Sequence, residues 1–128
     1  MYHVLITEMK REIENQLKAF LQDRGLELYV AANDNIPRSE PLVELEAIED
    51  VRLSGKRLLF EIRVVLGLLG KPWQCDALIK GIYYTLHPYN ISLGELAVLL
   101  MSIHVEEMGG ERERRRKRAI LRYIVEEQ

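Results

Sequence analysis

The sequence has few residues of the kinds that build covalent or metal-bound frameworks. Its single cysteine, Cys75, cannot form a disulfide within the chain. No pair among its three histidines and its cysteine has the short spacing of a structural zinc site. An internal disulfide is therefore excluded, and no metal ion or other cofactor is expected. A single cysteine favours a reducing, cytoplasmic setting.

No apolar run is long enough to suggest a membrane span. The most apolar stretch, residues 58–69, is interrupted by Glu61 and Arg63, whereas a spanning helix needs about 20 apolar residues in a row. The first residues lead directly into a charged amphipathic segment, which is unlike a secretory signal. We therefore expect a protein with no membrane attachment.

Motifs that carry catalysis are also missing. No serine lies in a Gly-x-Ser-x-Gly turn. Residues 67–71 combine two glycines with a lysine but lack the length and the following Ser or Thr of a phosphate-binding loop. Asp76, next to Cys75, disfavours the thiolate that a nucleophile paired with His87 or His104 would need. The sequence therefore predicts a protein that is not an enzyme.

What the sequence does contain is a helical pattern in a chain of ordinary globular composition. Apolar residues make up 48% of the 128 residues and charged residues 30%, which suits a single domain over residues 1–128. Residues 4–24 have apolar side chains at helical spacing and are followed by Gly25, a typical helix C-terminus. A second helix that ends before His87 is predicted from an apolar stripe of Trp73, Ala77, Leu78, Ile82 and Leu86. Similar patterns follow it. We predict a mainly α fold, a single compact domain of about four to six helices, with residues 26–41 as an irregular connection.

Residues 42–66 fit two structures. A run rich in Leu, Glu and Ala favours helices, with Gly70 and Pro72 as the signal that ends the last of them. Alternation of apolar residues instead favours a β-hairpin at 43–66, in which a turn at Gly55 and Lys56 would place Val51 opposite Phe60. The sequence favours the helices narrowly, and the hairpin stays open.

Residues 91–100 resemble the first helix of a helix-turn-helix motif, in which a Glu-Leu-Ala core is common. The resemblance ends there, because no glycine turn follows and a recognition helix would begin with Glu106 and Glu107. The same residues more readily form an amphipathic core helix, since Ser92 and Glu95 have the spacing of a capping box.

The charges are distributed unevenly. Residues 1–110 carry a net charge of −5, whereas residues 111–128 carry +3. We predict that 111–128 form a basic C-terminal helix whose guanidinium and ammonium groups bind the phosphates of DNA or RNA. The nucleic-acid-binding residues of this hypothesis are Arg112, Arg114, Arg115, Arg116, Lys117, Arg118 and Arg122.

An acidic run precedes this cluster in the chain and comprises Glu40, Glu44, Glu46, Glu49 and Asp50. It fits a solvated face, a surface that binds a basic groove on a partner, or a partner for the arginine cluster within one chain or across a dimer.

Two functions follow from these charges. The first is a small regulatory protein that binds nucleic acid, with the N-terminal amphipathic helix as a homodimer interface. The second is a protein–protein interaction module, an adaptor or inhibitor that acts by covering a partner's surface.

Overall fold

The computed structural model describes residues 2–30, 41–52, 58–86, 90–93, 96–109 and 115–127. Within these ranges the chain forms two helices and six strands. In chain order they are α1 (Tyr2–Gln22), β1 (Leu28–Val30), β2 (Leu42–Arg52), β3 (Leu58–Gly70), α2 (Pro72–Leu86), β4 (Asn90–Leu93), β5 (Leu96–Glu107) and β6 (Arg115–Glu127).

The strands form one mixed sheet with the order β1-β2-β3-β6-β5-β4. The pairing of β1 with β2 is parallel, and the other four pairings are antiparallel. The prediction of a mainly α domain of four to six helices is therefore wrong, because the described residues are mostly strand and include only two helices.

Both helices pack on one face of the sheet. Their buried side chains form one apolar cluster with alternate residues of β3 and β6. Only every second strand residue takes part, because successive residues of a strand point to opposite faces. The members from the helices and these two strands are Met9, Ile13, Leu17, Phe20, Leu21, Cys75, Leu78, Ile82, Leu86, Phe60, Ile62, Val64, Leu66, Leu68, Ala119, Leu121, Tyr123 and Val125. We call this side the helix face and the opposite side the open face.

The helix predicted for residues 4–24 is confirmed as α1. The C-terminus of α1 has the geometry expected from Gly25. This residue has a φ of 72°, and the Leu26 N–H donates to the Leu21 carbonyl at 2.9 Å. This bond satisfies a carbonyl that the helix end would leave without a partner. The apolar stripe of α1 is buried against the sheet. It does not form the surface that we predicted for a homodimer.

The helices preferred for residues 42–66 are wrong, and the alternative hairpin forms as β2 and β3. At the end of the hairpin nearest its turn, the register differs by one residue from the predicted one: Val51 lies opposite Glu61 and not Phe60. The cause is a β-bulge between Leu45 and Ala47, which shifts the later residues to the other face. The turn, residues 53–57, lies outside the described residues. Gly70 and Pro72 do not end a helix: they end β3 and begin α2.

The two helices predicted after Ser92 are also wrong, since these residues form β5 and β6. In β5 Leu96, Val98 and Leu100 lie on the helix face, and the register shift between Leu100 and Ser102 places Ile103 there as well. Leu96, Leu100 and Ile103 therefore have the spacing of a helix stripe, four and three residues apart. The basic C-terminal helix is a strand because Ala119, Leu121, Tyr123 and Val125 alternate toward the core.

Candidate functional site

The predicted arginine cluster is divided between the two faces of the sheet by the alternation of β6. Arg116, Arg118 and Arg122 lie on the open face, whereas Lys117 lies on the helix face, opposite Leu68 of β3. Arg115 is the first residue of β6 and pairs with Gly70 of β3. Arg112 and Arg114 lie outside the described residues. The cluster is therefore not one continuous basic surface within β6.

Arg116 and Arg118 bind acidic residues of β2 across the intervening strand β3. The Arg116 Nη2 atom lies 2.9 Å from Glu44 Oε2 and 3.3 Å from Glu46 Oε1. The Arg118 Nε atom lies 2.9 Å from Glu46 Oε2. Part of the acidic run thus meets the arginine cluster within one chain, as one of the three alternatives predicted.

Gly67 leaves the space for these ion pairs. It lies in β3, opposite Glu44 on one side and Arg118 on the other. A Cβ atom at this position would stand 2.9 Å from Glu46 Oε1, closer than real Cβ contacts. Because β2 and β6 are two strand spacings apart, roughly 10 Å, these side chains meet above β3, and a side chain at residue 67 would require Glu46 to shift.

Glu61 of β3 is the most buried charged residue on the open face. Its side chain is 1% exposed, and it accepts hydrogen bonds from Arg63 Nε and Arg122 Nε. A carboxylate away from water is tolerated when charged donors satisfy it. Arg63 and Arg122 keep about half of their side chains in solvent, so they cover Glu61 without being buried themselves.

Lys117 connects the sheet to α2 on the helix face. Its Nζ atom donates to Asp76 Oδ1 at 2.6 Å and lies 3.3 Å from Glu107 Oε1. The hydrogen bond to Asp76, helped by Glu107 and opposed by partial burial, raises the pKa of Lys117 above its usual value. This residue therefore holds two elements together, and its charge is engaged within the chain.

Cys75 and His104 do not form a nucleophilic pair. Cys75 is fully buried in the core beneath α2, while His104 lies opposite Ile120 of β6, on the open face. Among the described residues, no group of three His, Cys, Asp or Glu side chains could hold a metal ion. Neither helix in the described ranges is long and apolar enough to cross a bilayer. His87 lies outside the described residues.

The outer side of α2 carries exposed aromatic residues. The predicted apolar stripe of this helix included Trp73 wrongly and gave no role to Tyr84. Trp73, expected in the core, is 67% exposed, and Tyr84 is 70% exposed. The buried stripe of α2 runs through Cys75, Leu78, Ile82 and Leu86. Helical spacing places Trp73 and Tyr84 on the opposite side from this stripe. The periodicity could have identified them if the stripe had been anchored on Cys75.

Trp73 also borders a shallow groove of about 240 Å³. Its other walls are Arg24, Pro41, Gln74, Ala77 and Leu78. The start of the helix is fixed beside it, because the Gln74 side chain accepts a hydrogen bond from the Lys71 N–H at 2.9 Å. The groove is large enough for one side chain of a partner and small for a cofactor.

The chain matches no protein family model, no curated protein and no solved structure.

Proposed function

We propose that this chain is a protein–protein interaction module that binds its partner through the outer side of α2. The observation that carries the proposal is the exposed stripe of Trp73, Ala77, Lys80 and Tyr84 on the side of α2 away from the core. Trp73 and Ala77 of this stripe also line the groove. Trp and Tyr side chains dominate binding energy at protein interfaces because they bury a large area at a small entropic cost. Two aromatic residues at about 70% exposure on one helix side are costly to leave in water.

The ion pairs of the open face support this choice over nucleic-acid binding. Arg116, Arg118 and Arg122 each contact a carboxylate of the same chain. A phosphate would have to displace Glu44, Glu46 or Glu61, so the electrostatic gain from counterion release would be reduced. The nucleic-acid hypothesis stays a prediction that rests on Arg112, Arg114 and Arg115, together with whatever the paired arginines can still contribute.

The proposal is tested with the full chain immobilised and exposed to a nuclease-treated lysate. We expect the wild type to retain a protein partner in stoichiometric amount, and the double variant Trp73→Ala/Tyr84→Ala to lose it. Arg11→Ala, an exposed change on α1, is the matched control and should retain it. Far-UV circular dichroism checks that each variant is folded.

A titration of the same proteins with duplex DNA and single-stranded RNA at low salt separates the two hypotheses. Retention of the partner by the Trp73→Ala/Tyr84→Ala variant contradicts the proposed surface. The nucleic-acid hypothesis would be favoured instead by tight binding that weakens steeply with salt and that is lost when Arg112, Arg114 and Arg115 become Ala.

A further inference from the structure

The outer edge of β5 is open over most of its length in the described part of the chain. β4 pairs with β5 only along Leu96–Leu99, whereas β6 pairs with the other edge as far as Glu107. The Met108 N–H donates to the Arg116 carbonyl at 2.8 Å. Since donors alternate along a strand, the N–H and C=O groups of Ile103 and Val105 point away from β6. They form a template on which another strand can add.

The side chains at this edge do not protect it in the usual way. Met101, Val105 and Met108 are 49%, 38% and 43% exposed, and residues 101–108 contain no Lys, Arg or Pro. The open edge of β2 is different. Both edges have a register shift where the free segment begins, between Leu45 and Ala47 in β2 and between Leu100 and Ser102 in β5. In β2 the exposed Glu49 and Asp50 lie in the middle of the free segment, whereas the acidic residues of β5 lie at its end. Charges in the middle of an edge oppose strand addition, so β5 is the edge better able to pair.

We propose that β5 pairs antiparallel with β5 of a second copy of this chain, about a two-fold axis at His104. In this register Ile103 lies opposite Val105 of the second copy, and their outward N–H and C=O groups bond to each other. The two sheets become one continuous sheet. This inference does not depend on the α2 surface, which stays accessible to a different partner.

The charges along the edge favour a second copy as the occupant. The acidic residues of the edge, Glu106 and Glu107, lie together at one end. Antiparallel self-pairing therefore places the acidic pairs of the two copies at opposite ends of the paired segment, where Glu106 lies opposite Ser102 of the second copy. Like charges directly opposite each other would be unfavourable, and this register contains none among the acidic residues.

The position of β4 favours the same register. β4 begins opposite Leu99, which limits how far an incoming strand can extend. An axis at His104 lets the second β5 lie along the edge up to its Met108 before it reaches β4. With the axis at Ile103, the end of the second β5 would overlap the position where β4 already pairs. With the axis at Val105, the apolar Ile103 would lie opposite the charged Glu107 of the second copy.

The first test measures the mass of the full chain by sedimentation over a range of concentrations. We expect a monomer–dimer equilibrium that dissociates on dilution, because the paired segment is short. Val105→Lys should weaken the dimer tenfold or more, since a Lys on an edge opposes strand addition. Tyr83→Lys is the matched control, because Tyr83 lies on α2 and is 43% exposed against 38% for Val105. It should leave the equilibrium unchanged.

The second test measures the register. Opposed residues that do not exchange hydrogen bonds have Cα atoms about 4.5 Å apart, close enough for a disulfide. On mild oxidation with diamide, His104→Cys should therefore give a cross-linked dimer. Ser102→Cys should not, because its two thiols would lie several residues apart. The wild type is the blank, since Cys75 is buried.

A monomer at every concentration overturns the proposal, and so does a dimer that survives Val105→Lys in a folded protein. Cross-linking of Ser102→Cys in place of His104→Cys overturns the register. Binding of an extended peptide at this edge by a chain that stays monomeric would assign the edge to another kind of partner and would also overturn the self-pairing.

Discussion

The two faces of the sheet differ most clearly at Val64 and Val65, neighbours in β3. Val64 is fully buried beneath the helices, whereas Val65 lies on the open face and is only partly buried. Apolar packing covers the helix face. On the open face, long charged side chains pair above the strands and cover the sheet with their own stems. One sheet therefore has two means of burial, and they should respond differently to substitution.

The same substitution at these two neighbours should have the largest effect and the clearest contrast. Val64→Ala removes two methyl groups from a closed core and leaves a cavity, and we expect a loss of about 2–3 kcal/mol in the free energy of unfolding. Val65→Ala should cost about 1 kcal/mol or less, because part of its surface is already in water. Urea unfolding measures both. Equal losses would show that the open face is packed as tightly as the core.

The second prediction compares two ion pairs of the open face that differ in burial. Arg122→Met removes one of the two charged donors to Glu61, which water cannot easily reach, and should cost about 1–3 kcal/mol. Arg118→Met removes a partner of Glu46, whose side chain is 19% exposed and can be hydrated. It should cost about 1 kcal/mol or less. Similar values in urea unfolding would mean that burial of the carboxylate does not decide the strength of these contacts.

The third prediction concerns a buried polar group on the helix face. The Tyr123 hydroxyl is buried and has no hydrogen-bond partner among the described residues. Tyr123→Phe should therefore be neutral or stabilise by up to about 1 kcal/mol near neutral pH, because it removes a desolvated group. Thermal unfolding of the two proteins measures the difference, and a clear loss of stability would indicate a hydrogen bond.

The same variant has a second consequence at alkaline pH. Burial raises the pKa of Tyr123, so the folded state keeps its proton while the unfolded state releases it above about pH 10. Stability should therefore fall as the pH rises, and Lys117, whose pKa is also raised, adds to the fall. The fall should be smaller in Tyr123→Phe. An identical pH dependence in both proteins would contradict a raised pKa at Tyr123.

The helices predicted wrongly at β2 and β5 have a common physical cause. In β2 and β5 a single extra residue shifts the alternation of buried side chains partway along the strand. Before the shift, Val43 and Leu45 face the core, and after it Ile48 does. Such a pattern has neither a clean period of two nor a clean period of 3.6, and propensities for Leu and Glu then favour a helix. The pairing partner that stabilises the bulge is distant in the sequence.

The candidate site was predictable only in part. The arginine cluster is evident in the sequence, and so is the acidic run, of which Glu44 and Glu46 bind the cluster. The contact between Glu46 and Arg118 was one of three alternatives, because nothing local shows that β2 and β6 lie on either side of β3. The role of Gly67 depends on that topology, and so does the open edge of β5.

The sequence by itself determined what depends on local interactions. The length of α1 and its end at Gly25 follow from side-chain periodicity and from the backbone freedom of glycine. Periodicity also predicts the helix α2, although it places Trp73 and Ala77 on the wrong side. The tertiary structure decided the rest: that residues 115–127 are a strand, that Arg116 and Arg118 bind carboxylates across β3, and that no described strand pairs with the outer edge of β5 beyond Leu99. Strand pairing is a contact between residues far apart in the chain, so its free energy cannot be deduced from either segment considered separately.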